Sequence, residues 1–141
     1  AHKPDALEKL LHAVREIAGE RRLKIVFGCG GDRDRGKRPQ MGEIAARLAA
    51  DVIVTSDNPR GETPQAIIDE IAQGIPSGRA TQIADRRDAI ARTIADAGED
   101  DVIVIAGKGH ETYQVVGDEV VHFDDREEAE LALNKRHGKS A

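Results

Sequence analysis

Asp101-Val102-Ile103-Val104-Ile105-Ala106 and the closely similar Asp51-Val52-Ile53-Val54-Thr55-Ser56 decide the fold. Each is a short apolar run rich in β-branched side chains, with charge before it and a polar loop after it. Such a run reads as a strand buried on both faces, the kind found in parallel sheets. Residues 23–27, Leu-Lys-Ile-Val-Phe, have the same character and end in glycine, and 81–84 offers a shorter version. Of these, 101–106 is expected to be the central strand.

Between the strands the apolar period changes to that of a helix. Leu7, Leu10, Leu11, Val14, Ile17 and Ala18 place an amphipathic helix over 5–19, with Asp5 and Glu8 spaced as a capping box. Met41, Ile44, Ala45 and Leu48 mark a second over 39–50. Thr63 as N-cap and Pro64 in the first turn open a third that ends near Gly74, and 86–97 reads as a fourth. The alternation then gives way to a hairpin, 113–116 and 119–123 turning at Gly117-Asp118, and a charged helix over 125–135, followed by a frayed tail. Strands alternating with helices of this length predict an α/β fold, doubly wound. Its sheet is expected to be mostly parallel, with about six strands, helices on both faces and a C-terminal hairpin. At 141 residues the chain is read as a single domain, 1–141.

Composition narrows the function. The net charge is −5 with acidic and basic residues mixed along the chain, which argues against nucleic-acid binding. No stretch approaches the roughly 18 consecutive apolar residues of a membrane span, and no signal peptide opens the chain, so a soluble, cytoplasmic protein with no membrane insertion is expected. Cys29 is the only cysteine, which excludes an intrachain disulfide, and it is read as a small buried or loop thiol. With one Tyr, two Phe and no Trp, no stacking platform is available, and a ligand here is held by charge and hydrogen bonds.

Three polar loops follow strands, where ligands of such sheets bind. The first, 28–39, gathers Arg33, Arg35, Lys37 and Arg38 among Gly28, Gly30, Gly31 and Gly36, an apparent anion trap. Gly31, Gly36 and Lys37 fit the phosphate-binding G-x-x-x-x-G-K, but Arg38 stands where Ser or Thr would ligate magnesium. In the second loop, Asp57-Asn58-Pro59-Arg60, proline stiffens the backbone, Arg60 can grip a carboxylate with two parallel hydrogen bonds, and Asn58 offers donor and acceptor. In the third, Gly107-Lys108-Gly109-His110-Glu111, Glu111 can accept from a substrate ammonium. His110 reads as holding its loop rather than as a base. His12, His122 and His137 have no metal-ligand spacing, so no bound metal is expected. Together the loops suit a small zwitterion carrying carboxylates and an ammonium.

Read jointly, these three motifs resemble, in order and spacing, the C-terminal domain of the UDP-N-acetylmuramoyl-tripeptide synthetases of the Mur ligase family. Ala1-His2-Lys3-Pro4 also resembles the end of that family's D-Y-A-H-x-P segment. The resemblance implies a Rossmann-like domain of an ATP-dependent, amide-forming ligase that adds meso-diaminopimelate to UDP-MurNAc-L-Ala-D-Glu in peptidoglycan synthesis. In that reaction the dipeptide's carboxylate becomes an acyl phosphate, the incoming amine attacks, and phosphate leaves. It further implies that Arg33, Asn58 and Arg60 hold the distal carboxylate and amine of diaminopimelate, that Gly107 and Glu111 complete the pocket, and that Asp57 and Pro59 belong to the wider selectivity motif. His2 and Lys37 are implied to approach the nucleotide or acyl phosphate. No catalytic residue is expected in this domain. ATP and Mg2+ are implied to bind mainly to a central domain absent from this chain, as is the N-terminal UDP-binding domain, so the chain alone is expected to turn over no ATP. The alternatives are an L-lysine-adding ligase of the same family, disfavoured by Arg60, a folate polyglutamate ligase, which shares the architecture but is not expected to carry D-N-P-R, a non-catalytic anion- or amino-acid-binding module, and a protein-docking domain.

Overall fold

In a computed structural model, which describes residues 3–30, 35–106, 113–116, 119–122 and 125–136, the alternation within the first strand sorts the core into two layers. Strand β1 (Leu23–Phe27) sends Leu23, Ile25 and Phe27 into one buried cluster and Val26 into another. Strand β2 (Asp51–Val54) does the same, with Val52 and Val54 in the first cluster and Ile53 in the second. Successive strand side chains face opposite ways, so two clusters sharing one strand lie on opposite faces of its sheet.

Three helices supply the first cluster: α1 (Pro4–Ala18), α2 (Lys37–Leu48) and α3 (Pro64–Ala72), with α1 packed on α2 and α2 on α3. The second cluster is built by α4 (Arg86–Asp96) and α5 (Asp125–Arg136), packed on each other. Strands β3 (Ala80–Gln82) and β4 (Val102–Ile105) complete a four-stranded parallel sheet of order β3-β2-β1-β4. The expected parallel sheet with helices on both faces is therefore present. Among the described residues the strands fall into two sheets rather than one, however, because β5 (Tyr113–Val116) and β6 (Glu119–His122) pair antiparallel with each other in a separate two-stranded ribbon. The turn expected at Gly117-Asp118 lies outside the described residues.

A second correction concerns 101–106. Its apolar run led to the expectation of a central strand, but β4 is an outer strand of the four and is half-buried throughout. The central pair is β1 and β2. Covering by α4 and α5 accounts for the apolar character of β4 without a neighbour on each side: Ile103 and Ile105 pack against the cluster of those helices.

Local chemistry explains the helix starts. The Thr63 hydroxyl accepts from the amide of Ala66 at 3.4 Å with Pro64 in the first turn, and Asp85 accepts from the amides of Arg87 and Asp88, satisfying N–H groups that the helix leaves open. The capping box expected at Asp5 and Glu8 does not form. Lys3 is the N-cap without a side-chain bond, Pro4 occupies the first turn, and Asp5 lies within that turn at the positive end of the helix. Helix α2 starts at Lys37, two residues before the expected position, because Pro39 at the third helical residue has no intrahelical N–H bond to lose. Among the described residues no helix is long and apolar enough to cross a membrane.

At the amino ends of the strands, Arg22 forks onto Asp51, with Nε and Nη2 donating to its carboxylate at 2.6 and 2.9 Å, and Lys24 reaches the same carboxylate at 3.3 Å. This pins β2 to β1 at the end opposite the polar loops.

Ile25 and Ile17 give a contrasting pair, since Ile25 is fully buried while Ile17, expected on the apolar face of α1, is 79% exposed. Ile25→Ala should destabilise by about 2–5 kcal/mol, and Ile17→Ala should stay within about 0.5 kcal/mol of wild type. Urea unfolding checks both.

Candidate functional site at the carboxyl ends of the strands

The strand order places the site. Chain order runs outward from β1 through β2 to β3 and then returns to the other side of β1 for β4. The direction of winding thus reverses between β1 and β4, and the loops that leave the sheet there separate to form a crevice. The described residues nearest that point are Gly28 to Gly30 after β1, Thr55 to Thr63 after β2, and Ala106 after β4.

The backbone after β2 does not leave the sheet directly. Thr55 donates to Phe27 O at 2.9 Å, and Ala106 donates to Val26 O at 2.9 Å, which extends both ladders by a residue. Residues 55–57 then cross the end of β1. A Cβ on Gly28 would overlap the carbonyl oxygen of Thr55 and lie 2.9 Å from the carbonyl carbon of Ser56. Glycine at 28 is therefore required by backbone crossing backbone. The glycine-rich character expected to admit a ligand serves, at this position, to admit the neighbouring loop.

Asp57, Asn58 and Pro59 are all buried, at 2% exposure for Asp57 and 1% for Asn58. Arg60 is half-buried and adopts φ 51°, the left-handed region that non-glycine residues rarely enter; its Nη1 lies 3.4 Å from Asn58 O. The amide of Glu62 donates to Pro59 O at 2.9 Å, closing the turn. The loop thus holds Arg60 on a strained backbone with its guanidinium against the carbonyl of Asn58.

Two buried arginines hold that loop from opposite ends. Arg86, 1% exposed, donates from Nη1 to Ser56 O at 2.8 Å and from Nη2 to Ala106 O at 3.1 Å. Its Nε and Nη2 also grip the Asp125 carboxylate at 2.7 Å each. Arg38, also 1% exposed, grips Glu62 with Nη1 and Nη2 at 3.0 and 2.7 Å, reaches Glu70 at 3.3 Å, and donates to Gly30 O at 3.0 Å. Forked charge-assisted bonds of this kind are both strong and directional.

These contacts revise the reading of the first loop. Arg35 and Arg38 were expected to contribute to an anion trap, but both are taken up by carboxylates: Arg35 sits on Glu70 and Arg38 on Glu62 and Glu70. They tie α2 to α3 and to the loop after β2. At the position where a magnesium-ligating P-loop carries its hydroxyl, the Arg38 side chain is committed to those two acids. Lys37 is half-buried in the first turn of α2. Cys29 is half-buried against Met41, Sγ to Sδ 3.6 Å, and desolvation pushes its thiol up to about 12. Of the expected ligand residues, Asn58 and Arg60 share the described loop with Asp57 and Pro59, whereas His2, Arg33, Gly107 and Glu111, and with them Lys108, Gly109 and His110, lie outside the described residues.

Sequence reading passed over Arg86, Asp125, Glu62 and Glu70. One signal was available for Arg86. An arginine in the first turn of a helix opposes the helix dipole, so a partner elsewhere must hold it there.

A sheet wound in this order, with its polar loops gathered at the reversal point, matches a known family over most of the chain. Residues 1–109 fit the family described as "Mur ligase, glutamate ligase domain", and the chain belongs to that family. Its similarity extends to particular members. It is 61% identical over 137 residues, 96% of its length, to the UDP-N-acetylmuramoyl-L-alanyl-D-glutamate--2,6-diaminopimelate ligase of Parasynechococcus marenigrum. It is 55% identical over 139 residues, 98% of its length, to the ligase of the same name from Listeria monocytogenes, of which it covers 28%. A solved structure of a ligase with that name superposes with a TM-score of 0.90 at 47% identity, covering 97% of this chain and 28% of that one. The chain spans about 27% of the length of the curated relatives that it matches.

Acid stability follows from the ion pairs. Folding lowers the Glu70 carboxyl, chiefly through the Arg35 hydrogen bond, and the Asp51 carboxyl, chiefly through that of Arg22. The unfolded chain then binds more protons than the folded one in this range, so both groups stabilise above their unfolded values near pH 4 and cease to as pH falls through their lower folded values. Urea midpoints should fall below about pH 4, and less steeply in Asp51→Asn; an unchanged slope in the variant would exclude the linkage.

Proposed function

We propose that this chain, 1–141, is the amino-acid-receiving domain of an ATP-dependent ligase that adds meso-diaminopimelate to UDP-MurNAc-L-Ala-D-Glu during peptidoglycan synthesis in the cytoplasm. The observation that carries this reading is the loop after β2: Asp57 to Pro59 are buried, and Arg60 is held in a left-handed conformation beside the point where the winding reverses. The relatives carrying a diaminopimelate ligase name support the same substrate. In this reading Arg33, Asn58 and Arg60 bind the distal carboxylate and ammonium of diaminopimelate, Gly107 and Glu111 complete the pocket, and His2 and Lys37 lie toward the acyl phosphate.

The chemistry asked of this domain is placement. Arg60 offers a planar fork for the second carboxylate, while Asn58 can both donate and accept. L-Lysine lacks that carboxylate and forgoes the two parallel hydrogen bonds that Arg60 would give it, which is how the site discriminates. Holding the amine in line for attack on the acyl carbon lowers the barrier by orientation. The residues described here do not fit a nucleotide phosphate and magnesium site, since Arg38 is engaged by Glu62 and Glu70. ATP and Mg2+ are accordingly assigned mainly to the central ATP-binding domain of the ligase, outside this chain.

A backbone-amide NMR titration of the chain with meso-diaminopimelate against L-lysine tests the reading. Shifts should concentrate at residues 57–60 and follow diaminopimelate alone. Arg60→Ala removes a charge-assisted fork worth about 1.5–3 kcal/mol, so its affinity should drop roughly 10- to 100-fold. Equal response to lysine, or an unchanged affinity in Arg60→Ala, would overturn the assignment.

A further inference from the structure

Strands β2 and β4 are not neighbours, because β1 runs between them. Two strand spacings, roughly 9–10 Å, separate them inside the sheet. Yet Ser56 O and Ala106 O, which follow these two strands, are both bonded to one guanidinium, that of Arg86. The two chain segments therefore converge beyond the end of β1, and the absent Cβ of Gly28 leaves room for the segment after β2 to cross there. Ser56 directly precedes the Asp57-Asn58-Pro59-Arg60 loop. Asp125 fixes the guanidinium plane from the other side by taking Nε and Nη2, so Arg86 cannot swing toward one carbonyl at the expense of the other.

We infer that Arg86 is a positioning residue for amino-acid selection, setting where the β2 loop stands relative to the end of β4 without touching the amino acid. The inference rests on the reading of the site given above. Three features require an arginine. It must be charged to satisfy Asp125, planar to align two carbonyls and one carboxylate, and fully buried, which leaves no water to replace a lost bond. Lysine offers one nitrogen where four hydrogen bonds are now shared among three.

The test is steady-state kinetics of the complete ligase carrying Arg86→Lys or Asp125→Asn. In Arg86→Lys the KM for the amino acid should rise roughly 10-fold or more, as expected for a binding group displaced by a fraction of an ångström to an ångström. The KM values for ATP and for UDP-MurNAc-dipeptide should stay within about twofold, since misplacing one binding loop acts on its own ligand alone. Asp125→Asn keeps one oxygen for the guanidinium but loses the fork that fixes its plane, so it should lower Tm and raise the amino-acid KM by less than Arg86→Lys does. A folded Arg86→Lys with an unchanged amino-acid KM, or with all three KM values raised together, overturns the inference. So does Asp125→Asn behaving like Arg86→Lys. Should Arg86→Lys fail to fold, Arg86→Gln/Asp125→Asn removes both charges at once and leaves an amide that reaches only one carbonyl; the same selective rise is required of it. Unsubstituted ligase that takes lysine in place of diaminopimelate would refute the substrate assignment alone, and the Arg86 effect is then read on lysine.

Discussion

Two guanidinium groups at 1% exposure organise this end of the molecule, and they are the largest fully buried side chains among the described residues. Burying an ion is expensive unless its partners are close and correctly aimed. Arg86 meets that condition by gripping a carboxylate with two nitrogens and donating also to two backbone carbonyls, and Arg38 by gripping carboxylates with both terminal nitrogens and donating to one carbonyl, its Nε alone being left without a partner among the described residues. The carbonyls they choose, Gly30, Ser56 and Ala106, belong to the loops that leave β1, β2 and β4. Helices from both faces of the sheet therefore reach the same edge, α2 through Arg38 and α4 through Arg86, and the β2 loop is clamped between them.

This arrangement explains how the loop proposed to serve recognition can be buried. Loops ordinarily run over the surface because their backbone groups need water. Here the carbonyl of Ser56 is supplied by a guanidinium and the turn at Pro59 closes on the amide of Glu62. Solvent is not needed to satisfy these groups, so residues 57–59 pack as core while Arg60 emerges at the rim.

Much of the fold was legible in the sequence, since it depends on periodicity and end signals. The strand at 23–27, the N-cap Thr63 and the strand around 51–56 carry local signatures that tertiary packing reinforces. Sheet order was less legible. An apolar run such as Val102 to Ile105 reads the same whether a strand is flanked by two strands or capped by two helices, which is why β4 was expected at the centre. The site was legible as loops and residue types but not as partnerships. Arg35, Lys37 and Arg38 look alike in composition, yet the carboxylates that claim Arg35 and Arg38 lie 24 to 35 residues away, and no local pattern announces them. Asp125 lies 39 residues from Arg86, so that pair too became visible only when the sheet brought α4 and α5 together.

The left-handed backbone of Arg60 bears on how this domain responds to selection. A non-glycine residue in that region carries a conformational penalty on the order of 1 kcal/mol, relieved by glycine. Selection for heat resistance alone would thus favour glycine at 60, and with it the loss of the guanidinium. With Arg60 selecting the amino acid as proposed, stability and discrimination pull this one position in opposite directions, and laboratory evolution toward robustness erodes substrate choice here before it erodes the fold.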